Sequence, residues 1–178
     1  MISRKEFNEA VSYTIDFMKQ NGIAITKEEE KKIEVADFGL SRLKKEGLQI
    51  LTYVNTKRCC AKELVMYPNQ TCPEHRHPMV DGQPGKEETF RCRVGTVYLY
   101  VKGTKSEDIR ATVPGSSYTV FHQITLHEGE QFTLPPDTLH WFQSGDQGAI
   151  VSEFSTSSYD EYDIFTDQSV KRSTEIGD

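Results

Sequence analysis

The sequence contains neither a long apolar run nor an excess of positive charge. No stretch approaches the roughly 20 apolar residues that a membrane span requires. Acidic residues outnumber basic ones by 27 to 21, giving a net charge of −6, and a phosphate backbone calls for a basic face. The first residues, MISRKEF, lack the basic-then-apolar order of a secretion signal. We therefore expect a cytoplasmic protein with neither nucleic acid nor membrane as its partner.

Cysteine is also scarce, and none of the four cysteines forms a CxxC pair. They stand at Cys59, Cys60, Cys72 and Cys92. Adjacent residues of a strand face opposite sides, so Cys59 and Cys60 cannot both serve one zinc site. We expect all four thiols to be reduced and structural, as is usual in a cytoplasmic chain.

The sequence does contain two helix signals near its start. A capping box at Ser3–Glu6 opens a run of apolar residues at three- and four-residue spacing, which ends at Asn21-Gly22. A second box at Thr26–Glu29 predicts a charged helix that continues to about Phe38. Packing against a sheet is the expected role of both helices, ahead of a lid or a dimer surface.

From Gln49 onward the apolar pattern changes to the period of strands. The predicted strands are QILTYV, CCAKELVMY, TFRCRVG, TVYLYVKG, SYTVFHQITL, EQFTL, LHWFQS and AIVSEFS. Turn signals such as Pro84-Gly85 and Gly145-Asp146 separate them. Many short strands after two helices predict a mainly β fold, an antiparallel barrel or jelly roll. We expect one domain over 1–178: a helical segment at 1–48, a barrel at 49–165 and a loosely held tail at 166–178.

Histidine and glutamate form a pattern that suits a metal. Residues two apart on a strand share a face, which places His75 with His77 and Lys86 with Glu88. His140 is the candidate for a further ligand. Three imidazoles and one carboxylate suit Mn, Fe, Co, Ni or Zn and give little preference among them. His122 and His127 stand outside this pattern and are expected to be structural or surface residues.

These segments resemble the paired motifs of the cupin superfamily, small β-barrels that place three histidines and one glutamate around a metal. One half is His75-x-His77 with Glu88 and Gly95, and the other is GEQFTLPPDTLH. The chain departs from the usual motifs twice. Ten residues separate His77 from Glu88 where three or four are usual, and Asp137 replaces a glycine. The longer gap makes Glu74 and Glu87 rivals of Glu88 for the carboxylate position.

A narrower resemblance is to the D-lyxose isomerase family of cupins. It rests on EHRHP, PGKEETFRCRVG, LPPDTLHWF and SEFSTSSYDEYDIF. The resemblance implies an aldose–ketose isomerase that interconverts D-lyxose with D-xylulose, and often D-mannose with D-fructose. It also implies a homodimer and a metal, most often Mn²⁺, with Co²⁺, Fe²⁺, Ni²⁺ or Zn²⁺ as alternatives. The implied metal ligands are His75, His77, Glu88 and His140, and the implied catalytic residues are Lys86 and Glu153.

Isomerisation assigns a role to each catalytic residue. Glu153 is the expected base that moves a proton between carbons, although strand parity does not fix its direction because a turn is predicted after His140. Lys86 would move a hydroxyl proton or stabilise an oxyanion, with a pKa lowered by burial and the metal. The candidate sugar contacts are Asp163, Trp141 and Phe90, with Asp160, Tyr98 and Phe142 as further candidates, although strand aromatics are more often core.

Three other functions fit parts of the pattern. An Fe(II) cupin dioxygenase would have the same metal ligands, and a sugar-binding cupin would need no turnover. A Lys86–Glu153 pair beside the metal favours proton chemistry over both. A sugar-phosphate isomerase would need a cluster that clamps an anion, and Lys62 and Arg91 alone do not form one.

Overall fold

The chain is mainly β, and one curled antiparallel sheet of nine strands makes up most of it. The computed structural model describes residues 1–178. Its helices are α1 (Arg4–Gln20), α2 (Lys27–Glu30) and a 3-10 turn (Asp160–Tyr162). The strands are β1 (Ile2–Ser3), β2 (Glu34–Ala36), β3 (Leu48–Asn55), β4 (Cys60–Met66), β5 (Thr71–Arg76), β6 (Glu88–Val101), β7 (His122–His127), β8 (Gln131–Leu134), β9 (His140–Ser155), β10 (Ile164–Phe165) and β11 (Ile176–Gly177).

Helix α1 covers one outer face of the sheet. Both hydrogen bonds of the predicted capping box are present, since Ser3 accepts from the Glu6 amide and Glu6 accepts from the Ser3 amide. The buried side of the helix packs at Met18 against Leu51, Val65 and Ile150. Neither helix has the length and apolar character needed to cross a bilayer.

The second predicted helix is much shorter than expected. Helix α2 ends at Glu30, and residues Glu34–Ala36 form β2, which pairs with β3. Val35 is buried while Glu34 is exposed, which is the alternation of a strand. Pairing with β3 buries this short apolar stretch, so the prediction of a helix that continues to Phe38 is wrong.

Strand β9 is the centre of the sheet and pairs with β4, β5 and β6. It joins two segments predicted as separate strands, so the turn predicted at Gly145-Asp146 is absent. His140 at its start and Glu153 near its end both line the barrel interior, although one position is even and the other odd. The alternation therefore shifts along the strand, and Gly148 lies in the shifted stretch with φ +79.

Strand β6 likewise joins two predicted strands and pairs with β7, β8 and β9. Its register against β9 shifts on both sides of Gly95, which has φ +77. A Cβ atom there would lie 2.3 Å from the Gly148 carbonyl oxygen, so this close approach of two strands requires glycine.

The C-terminal segment is ordered, which differs from the loosely held tail predicted over 166–178. The Lys171 amide donates to the Phe38 carbonyl, and Thr174 Oγ1 accepts from the Asp37 amide at 2.9 Å. Strand β11 then pairs with β1 in parallel. These hydrogen bonds hold residues 171–177 against the start of the chain and bring Arg172 to the mouth of the barrel.

Candidate active site

Three histidines meet inside one end of the barrel. His75 on β5 is the register partner of His140 on β9, and His77 follows β5 directly. Their ring centroids are 4.4 to 5.5 Å apart, and the candidate ligand nitrogens all lie within 4.8 Å of one another. All three side chains are buried. A group of this size can hold one metal ion.

Each histidine has its Nδ1 in contact with a hydrogen-bond acceptor. The acceptors for His75, His77 and His140 are, in that order, the Pro73 carbonyl at 2.7 Å, Asp163 Oδ1 at 2.5 Å and the Thr138 carbonyl at 2.9 Å. Because a carbonyl or carboxylate can only accept, each Nδ1 carries a proton, which leaves Nε2 as the nitrogen that can bind a metal. Such outer partners fix the ring orientation of metal-binding histidines.

Glu88 faces the same three rings. Its Oε1 lies 3.1 Å from Nε2 of His77 and 3.1 Å from Nε2 of His140. The buried His140 Nε2 has no hydrogen-bond partner, so its lone pair lies beside a carboxylate oxygen. A divalent cation among these atoms would remove that unfavourable contact, and the nitrogen and oxygen donors suit a first-row metal. The residues therefore fit a metal centre.

The two rival carboxylates point elsewhere. Glu74 is buried but accepts hydrogen bonds from the amides of Thr119 and Val120 and from the Thr166 hydroxyl, which engage both of its oxygens. Glu87 is exposed. Only Glu88 of the three faces the histidines, which is the arrangement expected from strand parity.

Lys86 and Glu153 meet beside Glu88. Lys86 Nζ lies 2.8 Å from Glu88 Oε2 and 3.0 Å from Glu153 Oε1, and all three side chains are buried. Burial alone would lower the pKa of Lys86, but the charges of Glu153, Glu88 and Asp160 outweigh it and raise that pKa well above its ordinary value. These charges therefore oppose the lowering of the Lys86 pKa that was expected from burial.

A second buried lysine extends this network. Lys62 Nζ lies 2.7 Å from Asp160 Oδ2, 2.9 Å from Ser158 Oγ and 3.8 Å from Glu153 Oε1. Burial acts to lower the pKa of Lys62, but the charges of Glu153 and Asp160 raise it overall. Glu153 is thus a buried carboxylate between two ammonium groups, and Lys86 connects it to the candidate metal ligand Glu88.

Comparison with protein-family models identifies the family of this chain. Residues 3–178 match the family model described as D-lyxose isomerase. The chain belongs to the D-lyxose isomerase family. It is 58% identical to the D-lyxose/D-mannose isomerase of Thermosediminibacter oceani, over the full length of both chains. It is 57% identical to the D-lyxose ketol-isomerase of Cohnella laeviribosi, covering 94% of this chain and 93% of that one.

Solved structures show where else this fold occurs. The L-ribose isomerase of Acinetobacter sp. DL28, in complex with L-ribose, superposes with a TM-score of 0.78 over 99% of this chain and 98% of that one. The L-ribose isomerase of Cellulomonas parahominis superposes with a TM-score of 0.75 and the same coverage. Both are 17% identical to this chain, and at that identity the likeness shows a shared fold alone.

The candidate sugar contacts of this D-lyxose isomerase family member fall into two groups. Phe90 and Asp163 line the cavity beside the histidines, and so do Phe142 and Asp160. Trp141 does not, so the expectation that it contacts a sugar there is wrong. Because neighbours on a strand face opposite sides, Trp141 lies outside the barrel, stacked on Tyr100 at 4.0 Å. Tyr98 packs in the same outer cluster.

Sequence reasoning missed two polar side chains of this cavity. From the sequence, Lys62 is considered only as part of a site that binds an anion. Lys62 lies two residues before Leu64 on β4, so strand alternation predicts that both side chains face the barrel interior. Arg172 gave no signal, because it stands in an irregular segment whose position depends on distant contacts. Phe38 and Phe165, which lie 5.6 Å apart at the cavity wall, come from irregular or very short elements as well.

Proposed function

We propose that this protein is a divalent-metal-dependent aldose–ketose isomerase that interconverts D-lyxose with D-xylulose and D-mannose with D-fructose. One observation carries the proposal: in a chain of the D-lyxose isomerase family, a buried lysine–glutamate pair adjoins a carboxylate and three histidines whose candidate ligand nitrogens lie within 4.8 Å of one another. The reaction moves one proton between neighbouring carbons, and a positioned acid and base next to a metal are the groups that it requires.

His75, His77, Glu88 and His140 are the proposed metal ligands. When bound, a divalent cation would supply Lewis-acid stabilisation of the negative charge that develops as the carbon-bound proton leaves. The family resemblance favours Mn²⁺, and the mixed nitrogen and oxygen donor set is compatible with it. The resemblance also favours a homodimer, and the composition favours a cytoplasmic location.

Glu153 is the proposed base. Its carboxylate takes the proton from C2 of the aldose and returns it to C1, which gives the ketose through an enediol. Lys86 and Lys62 fix its position, since their ammonium groups lie 3.0 and 3.8 Å from Oε1. The Lys86 ammonium donates to the sugar oxygen that gains charge during this transfer, and it moves the hydroxyl proton between O1 and O2.

The test is an assay of chelator-treated protein under anaerobic conditions. Pentoses and hexoses are each incubated with no metal and with added Mn²⁺, Co²⁺, Fe²⁺, Ni²⁺ or Zn²⁺, and ketose is measured. We expect ketose from D-lyxose and D-mannose once metal is added, with deuterium from ²H₂O appearing only at C1 or C2. Absence of ketose with every metal, or turnover only with oxygen, would refute the proposal.

A further inference from the structure

Two cavities of very different size meet at Arg172 and Asp160. The inner cavity is lined by His75, His77 and the Lys86–Glu153 pair and has a volume of about 40 Å³. The outer cleft has a volume of about 670 Å³. Arg172 and Asp160 line both spaces, and Arg172 Nη2 lies 3.3 Å from Asp160 Oδ2. These two side chains therefore lie between the inner cavity and the outer cleft.

The inner cavity is too small for the proposed substrate. One water molecule needs about 10–15 Å³ of cavity space measured for the centres of water-sized spheres, so about 40 Å³ holds roughly three waters. A five-carbon sugar has a carbon and an oxygen at every position and is several times larger than water. Some side chains of the wall must therefore move before a sugar can enter.

Arg172 lies on the least regular backbone among the polar residues of this wall. Lys62 and Glu153 lie on paired strands, whereas Asp160 stands in a 3-10 turn and Arg172 in an irregular segment. The backbone around Arg172 is held on both sides, at Lys171 and Thr174, so its side chain can swing while the chain stays in place. The guanidinium is also paired with Glu34 at the edge of the outer cleft, so it can leave Asp160 and keep the ion pair with Glu34.

The lining of the inner cavity gives the sugar a direction. On the side of Glu153 away from the histidines its polar groups are Lys62, Asp160 and Arg172, whereas Asp163 pairs with His77. The remaining lining on that side is apolar and comprises Phe38, Leu48, Ile50 and Leu64. When C1 and C2 of the sugar lie at Glu153, the hydroxyls on its other carbons find hydrogen-bond partners only along the polar side. A buried hydroxyl without a hydrogen-bond partner is costly, so the sugar extends along that side. That side ends at Arg172.

We infer that Lys62, Asp160 and Arg172 bind the hydroxyl groups of the sugar carbons far from the reacting end. Arg172 closes this subsite after entry and determines the preference between five- and six-carbon sugars. A sixth carbon extends toward the guanidinium, so the space that Arg172 occupies favours the pentose. This inference rests on the proposed isomerase function for its substrate, but the closure by Arg172 has a test that needs no turnover.

The first test compares D-mannose with D-lyxose in Arg172→Ala and Arg172→Lys. We expect normal metal content, a higher KM for D-lyxose with a smaller change in kcat, and a ratio of kcat/KM for D-mannose over D-lyxose that rises on the order of tenfold in Arg172→Ala. Arg172→Lys should fall between Arg172→Ala and wild type. Arg110→Ala is the matched control, since Arg110 pairs with Asp108 at the surface. A ratio within twofold of wild type in both variants overturns the specificity role.

The second test uses Cys72, which lines the inner cavity and is buried. Modification by methyl methanethiosulfonate is followed peptide by peptide, with the exposed Cys59 as internal reference. We expect Arg172→Ala to speed modification of Cys72 about tenfold or more relative to Cys59, because thiol reactivity follows access. An unchanged relative rate overturns the closure by Arg172. If wild type isomerises no sugar, the proposed function fails while the Cys72 rate still decides the closure.

Discussion

The site is built from two groups of residues that differ in their backbone and exposure. The barrel group lies on strands or at their ends and comprises His75, His77, Lys86, Glu88, His140 and Glu153. The rim group lies after β9 and comprises Asp160, Asp163 and Arg172. The barrel group is buried throughout, whereas the side chains of Asp160 and Arg172 keep 24% and 20% of their exposure.

This difference separates two tasks. Bonded strands hold the barrel group at fixed distances, which metal binding and proton transfer require, because small displacements cost much of the rate. Irregular segments hold Asp160 and Arg172 of the rim group, and they suit access and selection, which require movement. We therefore expect changes in the barrel group to abolish activity and changes in the rim group to alter affinity or preference.

The largest effect is expected for His77→Ala. Loss of one of three imidazoles leaves a weak metal site, so metal content should fall to background and turnover to that of the metal-stripped protein. Elemental analysis after dialysis and a D-lyxose assay measure both. His127→Ala is the control, because His127 is an exposed histidine away from the site. Wild-type metal content in His77→Ala would remove His77 from the ligand set.

Glu153→Gln should separate proton transfer from metal binding. The amide keeps the shape of the side chain but cannot take a proton, so kcat should fall by about 10²–10⁴ while metal content stays at the wild-type level. Glu87→Gln, in an exposed neighbour of Glu88, should leave kcat unchanged. Retained turnover in Glu153→Gln would mean that another group is the base.

The sequence predicts the barrel group better than the rim group, for a physical reason. Alternation on a strand places His75 with His77 and selects Glu88 over Glu87, because parity is fixed wherever one face is buried. Alternation fails to place Glu153, since the side-chain pattern of β9 shifts between its two ends, near the left-handed Gly148. It also fails for Arg172, whose position depends on contacts with residues more than a hundred positions away.

The same limit applies to the fold. The capping box of α1 and most of the predicted barrel strands follow from local pattern, and the structure confirms them. Strand β5 was not among the predicted strands, and β7 begins at His122, several residues later than predicted. The end of α2 and the β2 strand depend on pairing with β3, which no local signal reveals. The order of the C-terminal segment depends on the pairing of β11 with β1, which joins the two ends of the chain.

Asp163→Asn tests the one rim residue that contacts a metal ligand. The Asp163 carboxylate accepts from His77 Nδ1 at 2.5 Å and is itself buried, with its side chain 7% exposed. An amide in its place holds the ring less firmly and makes it a poorer ligand, so metal affinity should fall by about 10–100-fold. A metal titration measures this, and Asp146→Asn at an exposed position of β9 is the control. Unchanged affinity would place Asp163 with the sugar-binding side of the rim.

Trp141→Phe should have the smallest effect on activity, although Trp141 is the neighbour of His140 in sequence. The indole lies outside the barrel, where Nε1 donates to the Val120 carbonyl at 2.8 Å. Its loss leaves that carbonyl unpaired and removes buried volume, so the free energy of unfolding should fall by about 1–3 kcal/mol.

The KM for D-lyxose should stay within twofold of wild type, because the ring is outside the cavity. Phe142→Leu is the matched comparison, since the next residue along the strand lines the cavity and contacts Phe90 at 5.0 Å. Chemical denaturation and steady-state kinetics of both variants separate the two faces of β9. A raised KM in Trp141→Phe without loss of stability would return Trp141 to the sugar site.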